Sequence, residues 1–186
     1  MLVAARARHR FTVEEFDRLG VFGEDDRVEL IEGEVVDMTP IGARHASSVG
    51  YLTNVLPPQL AGTGVVWVQN PIQIPHHSEP LPDVAVLRPP VGRYAAVKPL
   101  PADVLLVVEV ADSSLDHDRG HKAPVYAAAG IPECWIVDLT TDTVLALTDP
   151  AGEAYRTSAV ARPGDVLVPR LLPGVSLAVS EVLGAG

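Results

Sequence analysis

The hydrophobic positions of the chain fall into many short segments, because 17 prolines and 15 glycines interrupt it. Residues 104–110 are almost continuously apolar, which is typical of a central strand that is covered on both faces. Residues 83–87 alternate as a strand does, and residues 65–74 are rich in aromatic and β-branched side chains. The pattern therefore predicts three strands in this part of the chain.

Helical spacing appears in three segments. The first helix begins after Thr12, whose hydroxyl and the Glu15 carboxylate fit a capping box, and it runs through Leu19. Its predicted inner side carries Val13, Phe16 and Leu19. Residues 44–56 form the second helix, which Pro57-Pro58 is expected to end. The third lies within residues 118–130 and is expected to begin near residues 119–121, so that Pro124 falls in its first turn.

Two hairpins complete the pattern. The first spans residues 27–38 around Glu32-Gly33, where glycine permits the positive φ of a tight turn. The second joins residues 134–138 to residues 144–147 around Thr140-Thr141-Asp142, and residues 155–183 read as short strands. Together the elements predict an α/β (α+β) fold, in which a mixed central sheet is flanked by helices.

Composition narrows the class of protein. A chain of 186 residues fits one domain, and a hydrophobic share of 47% excludes disorder as a description of the whole chain. No apolar run approaches the ~20 residues of a membrane span. Residues 1–10 lack the apolar core of a secretory signal, so we expect a cytoplasmic protein. The single cysteine, Cys134, excludes a disulfide framework and is expected to be a buried thiol.

The net charge of −10 argues against a protein that coats nucleic acid without sequence preference, because such binding needs many lysines and arginines. It is compatible with a carboxylate cluster that holds a cation. Glu109 ends the apolar strand, and Asp83 begins the alternating one. Two such carboxylates on neighbouring strands could share Mg²⁺ or Mn²⁺. The alternative is that Glu109 forms an ion pair with Lys122 or Arg119 and that Asp83 merely starts its strand.

Other polar and aromatic residues have competing interpretations. His45 opens the second helix, where it could approach a phosphate or act as a helix-cap contact. His117 and His121 lie beside acidic residues, but a solvated loop is favoured over a transition-metal site. Tyr126 is expected in or near the core, as are both tryptophans. The basic residues that could form a local rim are Arg44, Arg88, Arg93, Lys98 and Arg119.

The most specific motifs lie between Glu109 and Asp138. This stretch begins EVADSSLDHDRGHK and ends GIPECWIVD. Supporting motifs are ELIEGE at residues 29–34, Pro40, His45, PDVAV at residues 82–86 and Pro173-Gly174. In this order they closely resemble the Uma2 family (DUF820), restriction-type endonucleases of the PD-(D/E)XK nuclease superfamily. The resemblance covers roughly residues 12–183.

The resemblance implies a restriction-endonuclease-like core with additional hairpins. It implies one domain over residues 12–186, preceded by a tail at residues 1–11. It also implies a metal site in which Asp83, Glu109 and the backbone carbonyl of Val110 hold Mg²⁺ or Mn²⁺, with Glu29 as an additional acid.

Proteins of the superfamily usually carry a lysine two residues after the second acid. Ala111 occupies that position here, and Lys122 on the following helix is the expected substitute. The expected catalytic residues are therefore Asp83, Glu109 and Lys122. The cation would lower the pKa of its bound water, and Lys122 would orient that water or stabilise negative charge on the phosphorane.

The implied reaction is hydrolysis of nucleic-acid phosphodiester bonds, with DNA as the expected substrate. His45 and Arg119 are the expected substrate-binding residues, and a homodimer is expected by analogy with restriction-type enzymes. Two alternatives stay open. One is a non-catalytic module of the same fold that associates with DNA or with another protein, and the other is a hydrolase of a small phosphorylated substrate.

Overall fold

The computed structural model describes residues 9–20, 27–38 and 40–184. Most of the predicted tail, residues 1–8, lies outside the described residues. Helix α1 (Val13–Leu19) begins as predicted, with both hydrogen bonds of the Thr12–Glu15 capping box. Of its predicted inner residues, Val13 is buried, whereas Leu19 is exposed at the end of the helix.

The first hairpin forms as predicted. Strand β1 (Val28–Ile31) pairs antiparallel with β2 (Glu34–Asp37). Gly33 has φ of 82° in the connecting turn, and a Cβ atom there would lie 2.6 Å from Cβ of Arg10. The turn therefore requires glycine on both backbone and steric grounds.

The centre of the fold is one mixed sheet of six strands, in the order β3-β4-β5-β6-β7-β8. The strands are β3 (Val65–Val68), β4 (Val84–Leu87), β5 (Val104–Ala111), β6 (Glu133–Asp138), β7 (Thr143–Ala151) and β8 (Ala154–Ala161). Only β5 and β6 pair in parallel among these neighbours. The predicted mixed sheet flanked by helices is confirmed.

The central strand β5 is buried along its whole length, as its apolar pattern predicts. The predicted strand over residues 65–74 is too long, because β3 ends at Val68 and Gln69 has φ of 47°. The alternation predicted for residues 83–87 is also wrong, since all four residues of β4 are buried. Layers of the fold cover both faces of β4.

The predicted end of the second helix is also wrong, because Pro57 and Pro58 lie inside α2 (Ala43–Leu60). Proline removes a backbone donor and opposes a helix interior. Leu56 and Leu60 are nonetheless completely or almost completely buried on the sheet-facing side. Their burial extends the helix past the prolines, because packing of the apolar face outweighs the local preference.

The crossover between β5 and β6 is helical from Leu115 onward, earlier than predicted. It comprises α3 (Leu115–His117), a π-helical turn (Asp118–Lys122) and α4 (Ala123–Ala128). Gly130 follows with φ of 77°. Pro124 is accommodated because it follows the wider π turn and lies in the first turn of α4.

The C-terminal part contains fewer isolated strands than predicted, since β8 has eight residues and pairs fully with β7. It continues with β9 (Val166–Leu167), β10 (Leu177–Ala178) and α5 (Val179–Val182). Two 3₁₀ turns, Val91–Ala95 and Pro101–Asp103, precede β5. None of the helices in the described residues combines the length and the apolar character of a membrane span.

Hydrophobic side chains form one core on each face of the sheet. Helices α2 and α5 cover the face that includes Val108 and Val137. Helix α4 and the β1–β2 hairpin cover the opposite face, which includes Val107, Ala111 and the buried thiol of Cys134. Side chains alternate along a strand, so Glu109 projects toward α4 rather than α2.

Candidate active site

Strand register brings Asp83 and Glu109 together. Strands β4 and β5 are antiparallel, with Val84 opposite Val108. The next position in this register sets Asp83 opposite Glu109, and the backbone nitrogen of Asp83 lies 3.4 Å from Oε2 of Glu109. Both side chains are buried. Two carboxylates that are 26 residues apart in the chain thus meet at one edge of the site.

Lys122 reaches this pair from the π-helical turn. Its Nζ atom lies 2.9 Å from Oε1 of Glu109 and 3.1 Å from Oε2 of Glu29, and its side chain is almost fully buried. Burial by itself lowers the pKa of Lys122, but attraction to Glu109 and Glu29 outweighs burial and raises it. The lysine is therefore a permanent positive charge. Ala111, at the position where the superfamily usually has a lysine, is buried and carries no charge, so Lys122 supplies the ammonium instead.

Tyr126 holds the same carboxylate from behind. It follows Lys122 by one helical turn, and its hydroxyl donates to Oε1 of Glu109 at 2.6 Å. Burial above all raises the pKa of Tyr126 well above its ordinary value, so the hydroxyl keeps its proton and remains a donor.

Three donors surround the carboxylate of Asp83. The backbone N–H of Val110 donates to Oδ2 at 2.9 Å, and Nε2 of His45 lies 3.1 Å from the same oxygen. The side-chain amide of Gln69 donates to Oδ1 at 3.2 Å. Burial opposes ionisation, but the hydrogen bond and the charge of His45 outweigh it and lower the pKa of Asp83. Asp83 is thus held ionised.

Glu29 enters the site from β1. Its Oε1 atom lies 3.3 Å from Nε2 of His117, and its Oε2 atom accepts the backbone N–H of Leu81 at 3.2 Å. Burial opposes ionisation here as well, but Lys122 and His117 together with the N–H of Leu81 lower the pKa of Glu29. His117 therefore lies against the site rather than in the solvated loop that the sequence predicts.

The prediction of a solvated loop is also wrong for the neighbouring Asp118. This residue is buried, and its Oδ2 atom accepts a hydrogen bond from the Ser114 hydroxyl at 2.7 Å. Burial raises its pKa. Burial also raises the pKa of Glu109, to about 8, with repulsion from Asp118, Asp83 and Glu29 adding to the effect and Lys122 opposing it. Four buried carboxylates thus share one ammonium, and the raised pKa values of Glu109 and Asp118 mean that the site opposes ionisation of all four unless another cation is present.

The four carboxylates and Lys122 line a cavity of about 270 Å³, together with His45, His117 and Val110. Among the described residues, no group of three or more His, Cys, Asp and Glu side chains is already arranged as a metal site. The donor set nevertheless fits a hard divalent cation, because Mg²⁺ and Mn²⁺ prefer oxygen ligands and the four carboxylates share only the ammonium of Lys122 among the residues that line the cavity on this side.

The structure separates the expected substrate-binding residues. His45 lines the cavity, and its Nδ1 atom is buried without a hydrogen-bond partner in the described part of the chain. Arg119 is exposed and contributes to a different surface pocket, whereas Arg27 lines the cavity.

Most of the basic residues that could form a local rim instead form ion pairs or hydrogen bonds with other residues of the protein. Arg44 bonds to the Leu139 carbonyl and to Asp142, and Arg88 bonds to the Ala102 carbonyl. Arg93 pairs with Asp103, and Lys98 pairs with Asp17 and Glu79.

Sequence reasoning missed Gln69 and the hydrogen-bonding role of Tyr126. Tyr126 could have been found, because a spacing of four residues from Lys122 sets both side chains on one helical face. Gln69 could not, because it follows a short strand and reaches Asp83 through a backbone turn with φ of 47°.

The fold and the site define an α/β protein with a carboxylate–lysine centre where the interior strands β4 and β5 of a mixed sheet meet. A family model described as "Uma2: Putative restriction endonuclease" matches residues 13–180. The chain therefore belongs to the Uma2 family, and the resemblance noted from its motifs is confirmed.

A solved structure has the same fold. It is described as that of "a putative nuclease belonging to DUF820" from Anabaena variabilis ATCC 29413. The similarity has a TM-score of 0.70 at 17% sequence identity and covers 94% of this chain and 98% of that chain. No curated protein matches the chain.

Proposed function

We propose that the protein is a metal-dependent endonuclease that hydrolyses phosphodiester bonds in DNA. The observation that carries the proposal is the convergence of Asp83, Glu109 and Lys122 at one buried cavity, with Nζ of Lys122 2.9 Å from Glu109. The family match supports a nuclease, and the excess of carboxylates supports a divalent cation.

In this proposal Asp83, Glu109 and the backbone carbonyl of Val110 hold Mg²⁺ or Mn²⁺, with Glu29 as a further ligand. When bound, such a cation lowers the pKa of water and stabilises negative charge on a phosphate. His45 and the Val110 N–H keep Asp83 ionised and oriented, as a metal-ligating carboxylate requires.

Lys122 supplies the permanent positive charge of the site. Its ammonium has three donors, and two carboxylates engage it in the ligand-free protein. A phosphate that enters the cavity offers a further acceptor, so Lys122 would stabilise the negative charge that develops during hydrolysis. His45, which lines the cavity, would contact the substrate, and Arg119 would contact it farther out.

The proposal extends to the setting of the reaction. A single domain over residues 12–186 would act in the cytoplasm. A homodimer would supply two sites for cleavage of both DNA strands.

The second candidate is a non-catalytic module of this fold. The observation that favours it is the pairing of Lys122 with both Glu29 and Glu109, since a purely structural ion-pair cluster would look the same. The two candidates differ in their response to a divalent cation, because only a metal site is stabilised by Mg²⁺ or Mn²⁺.

Nicking of supercoiled plasmid DNA in the presence of Mn²⁺ tests the proposal. We expect Asp83→Ala and Glu109→Ala to abolish nicking, and Glu14→Ala, which alters an exposed carboxylate of α1, to retain it. Circular dichroism checks that each variant is folded. If both site variants nick at the wild-type rate, the assignment is wrong.

Hydrolysis of a small phosphodiester, measured with plasmid DNA as the competitor, distinguishes the two substrate classes. Plasmid DNA that fails to compete with hydrolysis of the small compound would favour the small-substrate hydrolase. The same assay with single-stranded RNA in place of the plasmid measures the preference for DNA.

A further inference from the structure

The hydroxyl of Tyr126 lies behind the carboxylate of Glu109 rather than in the cavity. Tyr126, a residue of α4, is completely buried in the core between this helix and the sheet, and it is not among the described residues that line the cavity. Its hydroxyl donates to Oε1 of Glu109 at 2.6 Å. The residue therefore acts on the site only through Glu109.

The two oxygens of Glu109 have different surroundings. Oε1 accepts the Tyr126 hydroxyl at 2.6 Å and lies 2.9 Å from Nζ of Lys122. Within the described part of the chain, Oε2 has a single long contact, the backbone nitrogen of Asp83 at 3.4 Å. One oxygen is thus held by two donors, and the other is directed toward Asp83 with accepting capacity left.

We propose that Tyr126 is a positioning residue that fixes the Glu109 carboxylate so that Oε2 is presented beside Asp83 as the cation ligand. This inference rests on the proposed metal-dependent function and names how its second carboxylate is oriented. The terminal torsion of a glutamate side chain is broad, so the carboxylate requires an external contact to fix its plane.

Tyr126 meets this requirement better than Lys122 does. The tyrosine ring is rigid and packed in the core, whereas the lysine chain is flexible and divides its ammonium between Glu109 and Glu29. With the hydroxyl removed, Lys122 alone would hold Oε1, and the carboxylate could rotate about its terminal torsion. Loss of such an outer contact typically weakens metal binding by about 10–100-fold.

Tyr126→Phe tests the inference, because it removes the hydroxyl and keeps the ring. Tyr94→Phe is the matched control, since the Tyr94 hydroxyl also donates to an internal acceptor, the Arg88 carbonyl at 2.7 Å. The measurement is the affinity for Mn²⁺ alone, from the electron paramagnetic resonance signal of free Mn²⁺. We expect a loss of about 10–100-fold for Tyr126→Phe and none for Tyr94→Phe.

A second comparison separates positioning from general destabilisation. In a Glu109→Gln background the carboxylate is already gone, so Tyr126→Phe should cause no further loss of Mn²⁺ affinity. A merely structural role would lower the urea midpoint of Tyr126→Phe and leave its Mn²⁺ affinity at the wild-type value.

The outcomes distinguish the two proposals. Wild-type protein that binds no Mn²⁺ would overturn the proposed function and the inference together. Wild-type protein that binds Mn²⁺, with Tyr126→Phe binding equally well, would overturn the positioning role alone. An equal loss in the Glu109→Gln background would also overturn it.

Discussion

The ammonium of Lys122 lies 2.9 Å from Oε1 of Glu109, and both side chains are almost completely withdrawn from solvent. Glu29 contacts the same ammonium from the hairpin side at 3.1 Å. The ammonium of Lys122 therefore links a strand of the sheet, the crossover helix and the β1–β2 hairpin. Its removal would leave two buried carboxylates without this partner.

Lys122→Met is expected to destabilise the protein by about 3–5 kcal/mol, because breaking a buried pair leaves an uncompensated charge. Arg170→Met, which breaks the exposed pair with Asp149, is the control and is expected to destabilise the protein far less, because solvent screens an exposed pair. Urea denaturation at pH 7 measures both. Similar losses for the two variants would show that the Lys122 pairs contribute no more than a surface pair.

Mn²⁺ is expected to raise the melting temperature of the wild-type protein, since a ligand that binds only the folded state stabilises it. At a hundredfold excess over its dissociation constant, the cation would contribute about 2.7 kcal/mol. Asp83→Asn should lose the shift, and Glu14→Gln should retain it. A shift of equal size in Asp83→Asn would place the bound Mn²⁺ elsewhere on the protein.

Asp138 links stability to pH at the turn after β6. Its carboxylate accepts the backbone N–H and hydroxyl groups of Thr140 and Thr141. Burial opposes ionisation, but these hydrogen bonds outweigh it and lower the pKa of Asp138 below 3.8. When folding lowers the pKa of a carboxyl group, the ionised group stabilises the protein at pH values above its pKa in the unfolded chain. That stability is lost as the pH falls through its pKa in the folded protein.

Asp138→Asn should therefore lower the free energy of unfolding by about 1–2 kcal/mol at pH 7, with a gap that closes below about pH 4. Urea titrations at pH 7, 5, 4 and 3 measure the gap. Asp116→Asn, at an exposed position of α3, is the control. A gap that stays constant to pH 3 would contradict the role of the ionised carboxylate.

Packing between α2 and the sheet leaves no room for a side chain at Gly64. A Cβ atom there would lie 2.7 Å from Cγ1 of Val86 and 3.0 Å from Cδ2 of Leu60, both in the core. Gly64→Ala is therefore expected to destabilise by about 1–3 kcal/mol.

Gly50→Ala provides the contrast, because Gly50 lies within α2 and a Cβ atom there meets nothing within 4 Å. It should stabilise the protein by about 0.5–1 kcal/mol, since alanine favours the helix. Thermal unfolding of the two variants measures the difference. The same sign of change in both would refute the packing argument.

Local chemistry made much of the fold predictable. The Thr12–Glu15 capping box, the Glu32-Gly33 turn and the apolar run of β5 each specify their structure over a few residues. Pro57 and Pro58 misled the prediction because their effect is local, whereas the burial of Leu60 depends on a sheet that forms elsewhere in the chain.

The site was predictable only in part for a similar reason. Motif order indicated Asp83, Glu109 and Lys122, and these residues do share a cavity. The contacts that orient them come from tertiary structure: Gln69 reaches Asp83 across a turn, and His117 meets Glu29 across 88 residues of chain. No local periodicity encodes such contacts.

The antiparallel register of β4 and β5 has a consequence for folding. Strand side chains alternate between faces, so a slip of one residue would turn Asp83 to the other face of the sheet and separate it from Glu109. The adjacent valines and leucines would tolerate the mispaired sheet far better than the acids would. The contact between Asp83 and Glu109 therefore depends on correct strand pairing more strictly than the apolar packing of β4 does.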